Sequence, residues 1–129
     1  MMRSVALLGL CAALCGCSTK LDFQKATDVG AGEAWSQVIE AFKSDTKVKL
    51  DVTATEPVDV FVMAEEDVNK DSDKIEGAMS SGKVPPGALD NSLNTKSANL
   101  EFKAPAGKAT QVYVYSRGKK SSITVAMKN

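Results

Sequence analysis

The chain of 129 residues contains no histidine, and this absence removes several kinds of chemistry. Without an imidazole there is no Ser-His-Asp triad, no Cys-His pair and no histidine metal ligand. Aromatic residues make up only 5% of the chain, and its 16 basic and 16 acidic side chains cancel. Because nucleic-acid binding relies on a basic surface and on aromatic stacking, this composition argues against a nucleic acid as partner.

Motifs that carry catalysis are also missing from the sequence. It contains no glycine-rich phosphate loop, no Cys-x-x-Cys pair and no nucleophile elbow. Carboxylate pairs for glycoside hydrolysis would have to come from residues such as Asp51 and Glu101, which are better explained as outward positions of strands. We therefore predict that the protein is not an enzyme and uses no cofactor.

The first seventeen residues have the pattern of an export signal. Arg3 precedes an uncharged run, residues 4–17, that is rich in Ala, Leu and Gly. This run is shorter than the roughly 20 apolar residues that a transmembrane helix needs. The alternative is a buried N-terminal helix, but a helix that is apolar on all sides needs more surrounding protein than this chain supplies.

The end of this run, Leu14-Cys15-Gly16-Cys17, resembles the lipobox of bacterial lipoproteins, where an aliphatic and two small residues precede an obligatory cysteine. The resemblance implies that residues 1–16 are a signal peptide and that the thiol of Cys17 carries a diacylglyceryl group. It also implies that the new amine is often acylated, and two or three acyl chains hold a protein stably on a membrane. Cys15 departs from the usual Ala or Ser, although its thiol is small enough to fit.

The same resemblance predicts where the protein resides. Ser18 follows the cysteine at the position where an Asp is the usual signal for retention in the inner membrane. We therefore expect a lipid-anchored protein of the bacterial cell envelope, in the outer membrane if the cell is Gram-negative. Cys11 and Cys15 would leave with the signal peptide, so the mature chain would have neither a free thiol nor a disulfide. A Cys15–Cys17 disulfide is the alternative.

The rest of the chain is expected to form a tether and one folded domain. Residues 17–33 mix Lys, Asp, Thr, Ala and Gly without clear periodicity, which predicts a flexible tether and leaves open that Leu21 and Phe23 dock on the domain. A coil of about 15 residues spans roughly 20 Å, enough to clear the lipid headgroups. The folded domain is predicted to occupy residues 34–129.

The predicted fold of this domain is all-β, a small antiparallel β-sandwich of jelly-roll-like form. Apolar and polar residues alternate over several short segments that are separated by turn residues, as in half-solvated antiparallel strands. Phe61 and Met63 give one segment a second apolar face, which predicts that this strand is central in the sheet or covered on both faces. Residues 34–43 fit a helical face as well as a strand, and we choose a strand because the other segments need partners. The remaining predicted strands are 46–55, 58–63, 98–103, 110–116 and 122–128.

The order of these segments is similar to that of small extracytoplasmic sandwiches of the pre-peptidase C-terminal and GOLD-like types. The stretches that carry this similarity are 57–63, 102–105, 112–115 and 123–127. The resemblance implies an accessory, non-catalytic module. Residues 64–97 interrupt the pattern as a long polar excursion, with a short helical turn expected near residues 67–78.

A dense acidic segment within this excursion is the first candidate site. Its spacing matches the first, third and fifth positions of an EF-hand loop, but Ser72 and Ala78 stand where that loop needs Gly and Glu. The segment is therefore not an EF-hand. The alternative to a solvated acidic loop is a looser calcium site with the ligands Asp67, Asn69, Asp71 and Asp73.

Two further features bear on binding. Tyr113 and Tyr115 lie close in sequence to Arg117, Lys119 and Lys120, which predicts either an aromatic and basic patch for a sugar or anionic polymer, or half-buried packing beside a solvated turn.

The carboxylate of Asp59 shares a strand face with two apolar residues, and we expect it to lie at an edge or strand start and to bond to backbone. Taken together, the sequence predicts a membrane-anchored envelope lipoprotein that acts as a non-catalytic structural or binding module for a protein or glycan. The alternative is a calcium- or carbohydrate-binding accessory domain.

Overall fold

A computed structural model describes residues 20–129, so that Cys17 and the predicted signal peptide lie outside the described residues. Within that range no helix is long and apolar enough to cross a bilayer. The elements in chain order are β1 (Asp22–Val29), β2 (Glu33–Ile39), β3 (Thr46–Ala64), α1 (Glu65–Lys70), α2 (Ser72–Ser80), β4 (Asp90–Ala104), β5 (Thr110–Ser116) and β6 (Ser121–Lys128).

The strands form one curled antiparallel sheet in the order β1-β6-β3-β5-β2, with β4 paired to β3. Strand β3 is 19 residues long and belongs to both halves of this sheet. Its residues 49–54 pair with β6, residues 59–64 pair with β5, and β4 follows it on the other side. The sheet therefore folds over on itself, and the prediction of an all-β sandwich is confirmed.

The bend in β3 lies where two separate strands were expected. The β3–β4 register shifts between Thr53 and Val58, around Pro57, whose nitrogen carries no hydrogen to donate. The side chain of Ser121 takes over part of the pairing there. Its hydroxyl accepts a bond from the amide of Glu56 at 3.1 Å and donates to the Glu56 carbonyl at 2.9 Å. The strand thus continues through the bend.

The main core lies between the two halves of the sheet. Alternate residues of β3, β5 and β6 point into it, as the period of two in their sequences predicts. At the open edge between β1 and β2, the rings of Phe23 and Trp35 pack with their centroids 6.2 Å apart. The largest fully buried side chains in this core are Val48, Leu50, Val52, Val58, Val60, Val62, Val112, Val114, Ile123 and Met127.

The choice of a strand for the segment around Trp35 is correct. Strand β2 pairs with β5, with Trp35 opposite Val114 and Ile39 opposite Thr110. The helical spacing in this segment has another origin, because Phe42 lies beyond the strand and is buried from the following loop. Its carbonyl accepts a hydrogen bond from the amide of Gly107.

The prediction of a flexible tether over residues 17–33 is wrong for Asp22–Val29, which form β1. This strand pairs with β6 along its whole length, from Asp22 opposite Lys128 to Val29 opposite Ser121. Its alternation is obscured in the sequence because Lys25 and Thr27 occupy two of the inward positions, opposite Val125 and Ile123. The folded domain therefore includes β1 and does not start at residue 34.

Helices α1 and α2 cover the outer face of the second half of the sheet, the half formed by β2, β5 and the end of β3. Ile75 and Met79, one turn apart on α2, are buried against Phe61 and Met63 of β3. Tyr113 and Tyr115 of β5 pack against the same cluster. The prediction that Phe61 and Met63 lie under a covering layer is therefore confirmed.

Candidate functional site

A groove runs between helix α2 and the nearby edge of the sheet. It has a volume of about 550 Å³ and is lined by residues of α2, of β5, of β2 and of the turn before β2. We call it the α2 groove. Its lining residues are Gly32, Ala34, Asp73, Glu76, Gly77, Met79, Ser80 and Tyr115.

One wall of the α2 groove is polar and the sheet side is apolar. Asp73, Glu76 and Ser80 are three and four residues apart, which places them on one face of the helix. Tyr115, half-buried, lines the groove from the sheet. At neutral pH the two carboxylates only accept hydrogen bonds, whereas the tyrosine ring offers apolar area. A ligand that fits this groove therefore combines hydrogen-bond donors with an apolar face.

A glycine within α2 borders the groove. Glycine in a helix interior costs about 1 kcal/mol of stability relative to alanine, so Gly77 is an unfavourable residue at this position unless packing or function requires it. A Cβ added to Gly77 would meet no atom within 4 Å, so packing does not require this glycine. Since Gly77 lines the α2 groove, the missing side chain leaves space for a ligand.

A buried ion pair lies beside Tyr115. The side chain of Asp59 is 1% exposed, and its Oδ1 accepts hydrogen bonds from Nη2 of Arg117 at 2.9 Å and from the amide of Asn94 at 2.8 Å. Its Oδ2 is buried and finds no partner among residues 20–129. The expected bond from Asp59 to backbone is therefore present. The residue lies inside β3, opposite Tyr115 of β5, rather than at a strand start.

The path of the Arg117 side chain is set by a glycine. Its Nη1 lies 2.6 Å from where a Cβ of Gly82 would stand, and Gly82 has a φ of +71°. Any larger residue at position 82 would displace the guanidinium and strain the backbone. The Arg117 side chain is 44% exposed, so that a cation anchored by Asp59 reaches the surface next to Tyr115.

The predicted patch of tyrosines and basic residues does not form one surface. Tyr113 and Tyr115 pack against the cluster under the helices, as the packing alternative predicts. Burial raises the pKa of Tyr113, with smaller contributions from the charges of Glu76 and Glu65, so its hydroxyl stays protonated at neutral pH. Of the basic residues, Arg117 turns to Asp59, Lys119 is exposed, and Nζ of Lys120 lies 3.5 Å from Oδ2 of Asp28.

The residues of the predicted calcium site are distributed over two helices. Asp67 and Asn69 lie in α1, Asp71 lies between the helices, and Asp73 is in the first turn of α2. The amide of Asp71 donates to the Asp67 carbonyl, so the segment is wound and does not wrap around an ion. Across residues 20–129, no group of three or more Asp, Glu, His or Cys side chains converges. The three carboxylates of the predicted calcium site are therefore not brought together in this structure.

A second depression, of about 780 Å³, lies on the outer face of the other half of the sheet, between β1, β6 and the bend of β3. Its rim includes Asp28, whose Oδ1 accepts a hydrogen bond from the hydroxyl of Ser122 at 2.7 Å. This bond and the charge of Lys120 lower the pKa of Asp28. Small side chains such as Thr53, Thr124 and Ala26 line the rest, and they give a ligand few groups to hold.

The sequence reasoning missed the α2 groove because it treated residues 64–97 as a loop with one helical turn. Ile75 and Met79, four residues apart, were the available signal for the buried face of α2. Asp73, Glu76 and Ser80 then fall on another face of the same helix. Only the packing of α2 beside β5 shows that this face borders a groove.

Known proteins share this architecture, although a scan of protein-family models and a search of curated proteins both find no match. The pre-peptidase C-terminal domain of a collagenase from Bacillus anthracis has a TM-score of 0.56 and 13% identity, over 84% of this chain and 90% of that one. The mitogen of Yersinia pseudotuberculosis has a TM-score of 0.54 and 6% identity, over 84% and 85%.

A family 6 carbohydrate-binding module of a laminarinase from Zobellia galactanivorans gives a TM-score of 0.47 at 8% identity, over 85% of this chain and 99% of that one. Identities this low establish no family for the chain. The first two likenesses establish its fold, a β-sandwich of the kind found in a pre-peptidase C-terminal domain.

Proposed function

We propose that this protein is a lipid-anchored module of the bacterial cell envelope that binds a glycan in the α2 groove and catalyses no reaction. The anchor is supported by the resemblance of Leu14-Cys15-Gly16-Cys17 to a lipobox. The fold is compatible with it, because the first strand of the described residues, β1, begins five residues after Cys17, at Asp22.

The α2 groove is the observation that carries the binding function. Asp73 and Glu76 form one wall and offer carboxylate oxygens that accept hydrogen bonds from a ligand. Tyr115 offers the apolar area of its ring from the sheet side. A sugar presents hydroxyl donors around its ring and C–H groups on the ring faces, so that it satisfies both sides at once. Gly77 places no side chain on this wall of the groove.

A titration of envelope-type oligosaccharides into the protein, followed by NMR chemical shifts, tests the groove. The double variant Asp73→Asn, Glu76→Gln should weaken binding about tenfold or more, since a hydrogen bond to a charged group contributes about 1.5–3 kcal/mol. The matched control, Asp51→Asn with Glu40→Gln, makes the same chemical changes at exposed positions outside the groove. Equal losses in both variants would contradict a groove site.

The salt dependence of binding separates a glycan from a protein ligand. The acidic wall of Asp73 and Glu76 would also accept a lysine or arginine side chain of a protein partner. A neutral glycan should bind with nearly the same affinity at 0.05 and 0.5 M salt, because no ion pair is screened. An affinity that falls steeply over this range would favour a cationic protein segment and would contradict the glycan.

Labelling with an alkyne analogue of palmitate tests the anchor, because the chain offers two neighbouring cysteines. Cys17→Ala should abolish incorporation, since it removes the thiol that the lipid would occupy. The matched control Cys15→Ala should keep it, because Ala is common at that lipobox position. Incorporation that survives Cys17→Ala would refute the anchor.

A further inference from the structure

Four exposed lysines stand together on the outer face of the first half of the sheet. Lys47 of β3 lies directly opposite Lys103 of β4, and two residues along β3, Lys49 lies directly opposite Lys128 of β6. Because residues two apart on a strand share a face, all four side chains occupy the same corner. We call these four residues the lysine corner.

The acidic neighbours of the lysine corner neutralise its charge only in part. Cβ atoms of directly opposite residues are about 4.5–5.5 Å apart, and like charges at such positions repel each other. Glu101 and Asp22 are the acidic neighbours in the same row, opposite Lys49 and Lys128. Glu101 approaches Nζ of Lys47 only to 3.9 Å, and within residues 20–129 no Asp or Glu side chain forms an ion pair with the other three lysines. An anion bound outside the protein would relieve this repulsion.

The N-terminus reaches the fold at this same corner. Strand β1 begins at Asp22, which pairs with Lys128. The chain from Cys17 to Asp22 spans at most about 17 Å when it is fully extended. Because 17 Å is the upper limit, a lipid on Cys17 would let the lysine corner approach the headgroups to within one Debye length, about 8–10 Å, where the surface potential acts.

We propose that the lysine corner docks the domain on anionic phospholipid headgroups, an inference that rests on the proposed lipid at Cys17. A short tether alone limits the distance of the domain from the membrane, whereas docking also fixes its orientation relative to the membrane. The α2 groove lies on the second half of the sheet, whose outer face points away from that of the first half. The docked domain thus presents its groove away from the membrane, where a glycan can enter it.

The test uses the full chain, exported and processed in a bacterium and reconstituted into vesicles of phosphatidylcholine with or without phosphatidylglycerol. Exposed lysines are acylated with a water-soluble ester, and the acylation rate of each lysine is measured by peptide mass spectrometry. In anionic vesicles the lysine corner should react about fivefold more slowly, the factor that corresponds to about 1 kcal/mol per lysine near an anionic surface. Lys74 and Lys83, exposed residues in and after α2, serve as internal controls and should keep their rates.

A variant separates docking from a general effect of charge. Lys49→Gln with Lys128→Gln removes one like-charge pair without loss of buried contacts, and it should return Lys47 and Lys103 to the rates seen on neutral vesicles. The matched variant Lys74→Gln with Lys83→Gln should leave their protection unchanged.

The outcomes distinguish docking from anchoring. Equal rates in both vesicle types, for a protein that floats with them, would overturn docking and leave the anchor intact. Protection that is independent of lipid charge would mean that protein, such as a second copy, covers the corner, which also overturns docking. A protein that does not float and carries no lipid on Cys17 would overturn both proposals.

Discussion

Removal of the arginine from the Asp59–Arg117 pair should cost more stability than removal of the aspartate, because the two partners are buried to very different degrees. Asp59 is 1% exposed, whereas the side chain of Arg117 is 44% exposed. Arg117→Met leaves the carboxylate of Asp59 buried, with the amide of Asn94 as its one remaining hydrogen-bond partner among residues 20–129. Breaking a buried pair costs about 3–5 kcal/mol, and since this pair reaches the surface on one side we expect about 3 kcal/mol.

Asp59→Asn should be milder. The asparagine carbonyl still accepts the bond from the Asn94 amide, and the exposed guanidinium turns to water, so we expect a cost of about 1–1.5 kcal/mol. The double variant Arg117→Met with Asp59→Asn should then be more stable than Arg117→Met alone, by about 1.5 kcal/mol, because it no longer contains a buried charge without a counter-ion. Lys119→Met is the matched control in the same turn. It removes an exposed cation and should change stability by less than about 0.5 kcal/mol.

Urea unfolding followed by tryptophan fluorescence measures these differences. The chain has one tryptophan, Trp35, which packs at the edge of the main core and reports on loss of the sandwich. A cost of about 3 kcal/mol corresponds to roughly 12 °C in Tm for a domain of this size, and the urea m-value should stay constant. Two results would refute this prediction. One is a free energy of unfolding for Arg117→Met that equals that of Lys119→Met, and the other is a double variant, Arg117→Met with Asp59→Asn, that is no more stable than Arg117→Met alone.

Three further outcomes are expected. Ser122→Ala should raise the pKa of Asp28, measured by carboxyl NMR, since the hydrogen bond from Ser122 is the first cause of its lowering. Because this pKa is lower in the folded than in the unfolded chain, the ionised carboxylate stabilises the fold at pH values above its pKa in the unfolded chain. The free energies of unfolding of the wild type and of Ser122→Ala should therefore converge as the pH falls through the pKa of Asp28 in the folded protein. Gly77→Ala should stabilise the protein by up to about 1 kcal/mol in a melting experiment, since a Cβ there meets no atom, while it weakens glycan binding. Millimolar calcium should leave the melting temperature unchanged, and a clear upward shift would show that the acidic segment can rearrange around an ion.

The sandwich was predictable because its central strands alternate cleanly. In β3, Val48, Leu50 and Val52 face inward between Lys47, Lys49 and Asp51, and this pattern fixes both strand and face. Strand β1 was not predictable in this way. As an edge strand it places Lys25 and Thr27 at inward positions, so its hydrophobic period disappears and only its pairing with β6 defines it.

The candidate site was less predictable than the fold, because it depends on packing between distant segments. Asp59 stood out in the sequence as a charge on an apolar face, but its partner Arg117 is 58 residues away. The α2 groove needs α2 beside β5, which no local pattern specifies. The lysine corner likewise arises from the register of three strands, since Lys47, Lys103 and Lys128 are far apart in the sequence.

The mass of the mature N-terminus is the most direct test of the proposed lipid anchor. The protein, produced in a bacterium and extracted with detergent, is digested, and its N-terminal peptide is identified by mass spectrometry. The account predicts a peptide that begins at Cys17 and carries a diacylglyceryl group on the thiol. A mature chain that retains residues 1–16, or one whose Cys17 bears a free thiol, would contradict it.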